Sequence, residues 1–460
     1  MFQVKIRIGL VAAKLQLLRL YRMHRRSAAN ALSKATRGFT KREFKTAQRL
    51  LASVPSGSKA TPSSPSLFSN TSTQKRQDDQ MLLHPLYREV ADQTSMQVFE
   101  SELVNEGNIG LALAFPSKTP DPLRIFGIPK SVEKTFDLVT RPFSVVRRPT
   151  LSLRQTLENA RKSGSDNRIV ITGGAGTGKS YLLLQTIIHC VASNWIVLYL
   201  PRAIDTVNCT TPYNYEPRTQ TFLQPMLSEK LLRQLRDMGH SGLKKLTLTN
   251  DFAIDSAPPG APKKGQRLIE LIEYGILEVS MAPFVLEQLL AELASQTQYP
   301  FLLAIDDFQA LYSQSQYKTP QFEPIESFHL SVPRLLLEYA CGSRKIHNGA
   351  LLSALSMSNT SWLPKTEIYE ALNLDLTHGK RPDAWDKRSE AYQHYAAGLK
   401  AFRMPERLEI KEAAGILDVM KNDRALLSDP SDQLFLSKYC ESNGNPKEFV
   451  WRGLMATLDS

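Results

Sequence analysis

The sequence predicts an α/β fold built on a parallel sheet with helices on both faces. Three observations carry this. Four short segments are apolar almost throughout: Ile169-Val170-Ile171-Thr172, Trp195-Ile196-Val197-Leu198-Tyr199-Leu200, Phe301-Leu302-Leu303-Ala304-Ile305 and Ala350-Leu351-Leu352-Ser353-Ala354-Leu355. Strands apolar at every position are buried on both faces, which is the situation of parallel strands. Helical periodicities alternate with them. A glycine-rich octamer stands between the first strand and the helix that follows it.

The elements follow in order from residue 151. Leu151, Leu153, Leu157 and Ala160 mark a helix, the first strand follows, and a second helix runs from Ser180 to Val191. Pro201 stops the second strand. Two later helices are marked by Met226, Leu227, Leu231, Leu232 and Leu235, and by Leu268, Leu271, Ile272, Ile276 and Val279. A loop, Ser256 to Pro262, lies between them. The tail after about residue 365 reads as mostly helical and polar, and there is no internal repeat.

Gly173-Gly174-Ala175-Gly176-Thr177-Gly178-Lys179-Ser180 matches G-x-x-x-x-G-K-[ST]. Chance would place such an octamer in a chain this long on the order of once in a hundred. The strand before it and the helix after it are the context that a P-loop requires. Glycines let backbone N–H groups turn inward at a helix N-terminus as an anion nest. Lys179 supplies a cation for the β- and γ-phosphates, and the Ser180 hydroxyl suits Mg²⁺. Asp306 closes the third strand, where a carboxylate holds Mg²⁺ through water. Asp307 follows where a glutamate base would stand; one methylene shorter, it either polarises a water or caps the next turn. Ser358 and Asn359 follow the fourth strand, either to orient a water or the γ-phosphate or as loop caps. In Gly444-Asn445-Pro446-Lys447-Glu448, Asn445 caps a helix with Pro446 at its first position. Lys447 then either faces the nucleotide from a lid or is solvated. Arg202, Arg218 and Arg344 are candidate arginine fingers, and no NKxD-like element selects the base.

Charge is unevenly placed. The chain carries 57 Lys+Arg against 45 Asp+Glu, a net +12, which invites a nucleic-acid reading. Residues 1–77 hold 16 of the basic residues and one acid, Glu43; the remainder is close to −3. The first 42 residues interleave cations with Ile8, Leu10, Val11, Leu15, Leu17, Leu18 and Leu20 and contain no acid. That is the composition of a mitochondrial transit peptide, with a basic RNA-binding arm as the alternative. Lys14 and Arg19 interrupt the apolar run, which excludes a spanning helix there. Cleavage after Phe39 is a weak signal. The four cysteines, Cys190, Cys209, Cys341 and Cys440, have no CxxC spacing, so no metal cluster or disulfide framework is suggested. Residues 53–80 read as a flexible Ser/Thr/Pro linker. Residues 81–150, punctuated by Pro116, Pro120, Pro122, Pro129, Pro142 and Pro149, read as an extended arm that either wraps a partner or RNA or packs on its own core.

Beyond the P-loop, several features in order resemble a known family. They are Gly173–Ser180 with Tyr181-Leu182-Leu183-Leu184-Gln185, and Trp195-Ile196-Val197-Leu198 leading into Pro201. They continue with Tyr213, Thr219, Gln224-Pro225-Met226, Leu303-Ala304-Ile305-Asp306 and Asn445-Pro446-Lys447-Glu448-Phe449. The chain resembles, over roughly residues 110–460, the death-associated protein 3 family of mitochondrial small-ribosomal-subunit proteins, in a fungal-type version. The resemblance implies a P-loop domain akin to AAA+ and STAND ATPases, in a head protein of the subunit located in the mitochondrial matrix. It implies GTP or GDP, with ATP not excluded, bound through Gly173, Gly174, Ala175, Gly176, Thr177, Gly178, Lys179 and Ser180, with Mg²⁺ at Ser180 and Asp306. Asp307 departs from relatives that carry a small residue there, which puts turnover in doubt. The implied partners are other small-subunit proteins, and rRNA touched by local clusters such as Arg147-Arg148 or Lys263-Lys264-Arg267.

The expected organisation is a targeting segment at 1–50, a linker and N-terminal extension at 51–120, a nucleotide-binding domain at 121–365 and a lid-like helical domain at 366–460. The competing function is a free matrix NTPase switch or motor of AAA+ or STAND type.

Overall fold

The computed structural model describes residues 96–455, apart from 118–119, 164–166, 253–259, 375–384, 386, 424 and 427–430. The segment read as a targeting peptide, the linker at 53–80 and most of the Ser256–Pro262 loop lie outside the described residues.

A five-stranded, wholly parallel sheet forms the centre. Its strands are β1 (Arg168–Thr172), β2 (Ile196–Leu200), β3 (Phe301–Ile305), β4 (Gly349–Ala354) and β5 (Lys400–Arg403), in the spatial order 5-1-4-3-2. Every residue of β2, β3 and β4 is buried. Since alternate residues point to opposite faces, both faces of the sheet are covered. The register pairs Ile196 with Phe301 and Gly349 with Phe301 at the amino ends. A Cβ at Gly349 would lie 1.9 Å from the Phe301 carbonyl oxygen, so only glycine allows β4 to approach β3 there.

The helices that flank the sheet are amphipathic or wholly apolar as their positions demand. They are α1 (Arg148–Ser163), α2 (Lys179–Ala192), α3 (Pro225–Met238), α4 (Leu268–Leu277), α5 (Ala282–Ser295) and α6 (Ser331–Cys341). Helix α2 buries Lys179 and the nine consecutive residues from Leu182 to Cys190, because it passes between the sheet and the N-terminal residues. Helix α3 starts with Pro225 at its first turn and stops at Gly239 in the left-handed conformation.

Of the two readings of the arm at 81–150, packing on its own core holds for its described part: Phe99, Val104, Leu113, Phe115, Phe126, Val132, Phe136 and Val146 belong to the main core. Short strands Ala112–Ala114 and Phe143–Val145 pair antiparallel, and two short helices intervene. The prolines there punctuate a packed substructure. The tail, although rich in helix, supplies β5, which pairs with β1 from Lys400↔Ile169 to Arg403↔Thr172. This strand is mostly exposed and carries two cations in four residues, as suits a sheet edge, so it has no apolar run to betray it. After it, α7 (Ile410–Asn422), α8 (Asp432–Glu441) and a closing π-helical turn, Phe449–Leu454, gather a separate small core around Leu408, Ala413, Met420 and Phe449. Among the described residues, no helix is long and apolar enough to cross a membrane.

Candidate functional site

The carboxyl ends of the strands open onto one cavity of about 490 Å³. This is where open parallel sheets place ligands. It is floored by Ala175–Ser180, Asp306 and Asp307, and walled on one side by Leu355–Thr360. Leu408, Ile416, Met420, Lys447 and Trp451 of the C-terminal region form the opposite wall.

The glycine loop connects β1 to α2. Gly178 is left-handed (φ 91°) and caps the helix without a side chain, so the first N–H groups of α2 face the cavity. Lys179 is buried, and its ammonium donates to the Gly173 and Gly174 carbonyl oxygens at 2.8 and 2.6 Å. Burial lowers its pKa from 10.5 to about 8, with Asp306 pulling the other way. Thr177 ties the loop to itself, its hydroxyl donating to Gly174 O.

Asp306 stands one residue beyond β3 and is 2% exposed. One carboxylate oxygen accepts the Asp307 N–H at 2.9 Å; the other, Oδ2, is buried with no hydrogen-bond partner. Burial, and then the neighbouring Asp307, raise the Asp306 pKa to about 7, while Ser180 and Lys179 oppose the rise. A buried carboxylate oxygen left without a donor, beside a serine hydroxyl at the foot of an anion nest, fits a hydrated divalent cation. Among the described residues no group of three or more His, Cys, Asp or Glu forms a site able to hold a metal by itself. A cation here would therefore need ligand oxygens as well as the protein's.

Asp307 is left-handed (φ 55°), a conformation aspartate tolerates better than most residues. Burial raises its pKa, and bonds to Ser356 and Gln309 and the charge of Arg202 lower it. Ser358 and Asn359 both line the cavity, and the Asn359 side-chain oxygen accepts the Ser361 N–H at 3.1 Å, which is the loop-cap role. Of the three arginines considered as fingers, only Arg202 lines this cavity. Arg218 and Arg344 line a second cavity of about 310 Å³, where Arg344 bonds Glu338 at 2.7 Å.

The C-terminal wall grips the loop from outside. Asn445 accepts the Lys447 and Glu448 N–H groups as a helix cap and donates from Nδ2 to Ala175 O at 2.9 Å. The Lys447 N–H donates to Gly176 O at 3.1 Å, and its side chain lines the cavity. Gly176 (φ 78°) admits this contact because a Cβ there would lie 2.6 Å from Asn445 Oδ1 and 2.7 Å from Lys447 Cβ. The cap is legible in Asn445-Pro446; its grip on the loop is not.

Arg147 is the larger surprise. The expectation that Arg147-Arg148 forms an rRNA-facing cluster is corrected: Arg147 is 9% exposed. Its Nε donates to Glu412 at 2.9 Å and its Nη1 to Thr177 O at 2.9 Å. Glu412 also closes the capping box of α7, accepting the Glu409 N–H. One guanidinium therefore ties the glycine loop to the C-terminal helices. The available signal was an arginine directly after Val145-Val146. Arg148 alone is exposed, paired with Glu409.

The fold and site together define a P-loop-like α/β protein. The sequence pattern of the mitochondrial ribosomal death-associated protein 3 family matches residues 144–451, about two thirds of the chain, and the chain belongs to that family. Small ribosomal subunit protein mS29 of Neurospora crassa is 27% identical over 264 residues, which are 56% of this chain and 55% of that protein. The protein of the same name from Schizosaccharomyces pombe is 24% identical over 350 residues, 74% of this chain and 70% of that protein. The Bos taurus protein mS29 is 25% identical over 225 residues, 48% and 56% of the two chains. The chain thus spans little more than half the length of two of these relatives in alignment.

Proposed function

We propose that this chain is a structural component of the mitochondrial small ribosomal subunit that holds a guanine nucleotide, GTP or GDP, with Mg²⁺. Membership of a family whose relatives bear small-subunit names is the observation that carries the first part. The reading places the protein in the mitochondrial matrix, in the head of the subunit, among other small-subunit proteins and rRNA. The transit-like composition of the first 42 residues agrees with that location.

The second part is supported by the geometry of the loop. The nest from Gly173 to Gly178 would receive the phosphates, Lys179 would turn from its own loop carbonyls to the β- and γ-oxygens, and Lys447 would approach from the opposite wall. Ser180 and, through water, Asp306 would hold Mg²⁺, whose chemical contribution is neutralising charge across the phosphates. The guanine choice rests on the family resemblance, and adenine is the competing base. The narrower AAA+/STAND class is supported by the sheet order, in which β4 stands between the glycine-loop strand and the Asp306 strand. Asp307 is one methylene shorter than a glutamate base and sits in a left-handed turn (φ 55°), which favours a retained structural ligand over rapid turnover. A retained ligand stabilises the fold by mass action.

Two measurements test this. In a sucrose gradient of mitochondrial lysate the protein should travel with the small subunit; recovery only in the soluble, non-ribosomal fractions rejects the ribosomal reading. Mass spectrometry of nucleotide released from purified protein should find GDP or GTP; adenine nucleotide alone rejects the guanine choice.

A further inference from the structure

A second group of cations lies far along the chain from the glycine loop. The segment after helix Ser241–Lys245 pairs antiparallel with the segment entering α4: Leu248 N–H donates to Gln266 O, Gly265 N–H to Leu248 O and Leu268 N–H to Leu246 O, with a bridge between Thr247 and Arg267. Burial separates the apolar from the polar residues of the two segments. Leu246, Leu248 and Leu268 are buried, while Lys244, Lys245, Thr247, Lys263, Lys264, Gln266 and Arg267 are exposed. The ribbon is anchored from below by Glu292 of α5, itself buried, which accepts from the Thr249 N–H at 3.1 Å and the Thr249 hydroxyl at 2.6 Å. Five exposed cations, separated by up to 23 positions in sequence, thus lie on or beside one paired ribbon. The acids beside them are Asp251, which accepts the Lys264 N–H, and Glu270 on α4. Among the described residues, none of the five cations is in an ion pair; the neighbouring arginines of α3, Arg233 and Arg236, are paired with Glu229 and Asp237.

We propose that this ribbon, with Lys244, Lys245, Lys263, Lys264 and Arg267, is a docking surface for the phosphodiester backbone of structured RNA. The inference deepens the ribosomal reading and rests on it. Charge selects a polyanion. Surface chemistry selects among polyanions. The exposed side chains of the described ribbon are cations, hydroxyls and amides, with the Asp251 carboxylate beside them and no exposed large apolar residue. A protein interface needs an apolar or aromatic centre, and a membrane-surface site needs apolar groups to insert. Backbone contact with RNA needs neither, and uses cations with hydroxyl and amide donors such as those of Thr247 and Gln266. The anchoring through Glu292 holds the donors in place, so binding does not have to order the ribbon.

The test uses the purified full chain and a fluorescein-labelled RNA hairpin, with affinity followed as salt is raised from about 50 to 200 mM. Wild type is compared with a variant carrying Lys244→Ala, Lys245→Ala, Lys263→Ala, Lys264→Ala and Arg267→Ala. A control carries Lys318→Ala, Lys345→Ala and Lys421→Ala, exposed lysines outside the ribbon. The basic N-terminal residues contribute equally to all three proteins, so the difference between them reads the ribbon. The ribbon variant should show a log–log salt slope shallower by about 0.7–0.9 for each phosphate contact removed, and roughly tenfold or greater loss of affinity, while the control keeps the wild-type slope. Equal slopes for wild type and ribbon variant overturn the proposal. So does tighter ribbon-dependent binding to phosphatidylserine vesicles or to polyglutamate than to RNA. If wild type fails to travel with the small subunit, the ribosomal reading has failed; if it does travel and the slopes agree, only the ribbon proposal has failed.

Discussion

The glycine loop and the basic ribbon both present cations, and they treat them in opposite ways. At the loop, Lys179 and Arg147 are buried and each is bonded to backbone carbonyl oxygens of the loop itself. On the ribbon, five cations stand in solvent with no ion pair among the described residues. Burial makes a charge expensive to leave without a partner, so its geometry is over-determined and its loss is felt as stability. Exposure leaves the charge screened, so its loss is felt only when a polyanion arrives. Perturbing each region in turn should separate these two regimes.

The largest effect is expected at the Arg147–Glu412 pair, whose side chains are 10% and 2% exposed. Removing one partner strands a buried charge, so Arg147→Ala or Glu412→Gln should cost about 3–5 kcal/mol in urea unfolding. A cost below about 1 kcal/mol would mean the pair behaves like a surface one. Next comes pH. His240, buried against Val197, has its pKa lowered by desolvation from 6.5 to about 4. The unfolded chain takes up a proton that the folded chain refuses, so the contribution is complete above about pH 6.5 and is lost as pH falls toward about 4. It amounts to about 3 kcal/mol at the acid end. His240→Gln should flatten the stability profile over that window.

Lys179→Ala should remove ligand-dependent stabilisation, about 2.7 kcal/mol at a nucleotide concentration a hundred times Kd, and with it the thermal shift on adding GDP and Mg²⁺. An unchanged thermal shift would remove Lys179 from the phosphate site. Asn445→Ala should cost about 1–2 kcal/mol, because one side chain both caps a helix and bonds Ala175 O. It should weaken nucleotide binding even though Asn445 itself need not touch the ligand. The smallest effect on stability is expected on the ribbon, where the five alanine substitutions should leave Tm unchanged while shifting RNA binding.

Much of the sheet was legible because its signals are local. The strands β1 to β4 are short apolar runs, α2 follows a glycine loop, and Asp306 ends an apolar strand; each can be read within about ten residues. Strand β5 was not, because an exposed edge strand such as Lys400–Arg403 carries no periodicity to detect. Its place is set by backbone pairing with β1. Arg147 was misread for a related reason. Adjacent arginines look alike in a sequence, and only packing shows that one is clamped by Glu412 while its neighbour faces water.

By itself the sequence determined the parallel-sheet class, the glycine-rich octamer ending in Lys179 and Ser180, the carboxylate at Asp306 and the family resemblance. These follow from side-chain period, backbone freedom at glycine and residue chemistry, which neighbouring residues set among themselves. The tertiary structure decided what touches the glycine loop. Arg147 meets Glu412 across 265 residues, and Asn445 meets Ala175 across 270. It also decided that the segment after Lys244-Lys245 would pair with the segment carrying Lys263-Lys264-Arg267. Contacts of that separation leave no periodic trace in the chain. They arise when the sheet order and the closing helices bring distant segments together, and burial then requires each polar group there to find a partner.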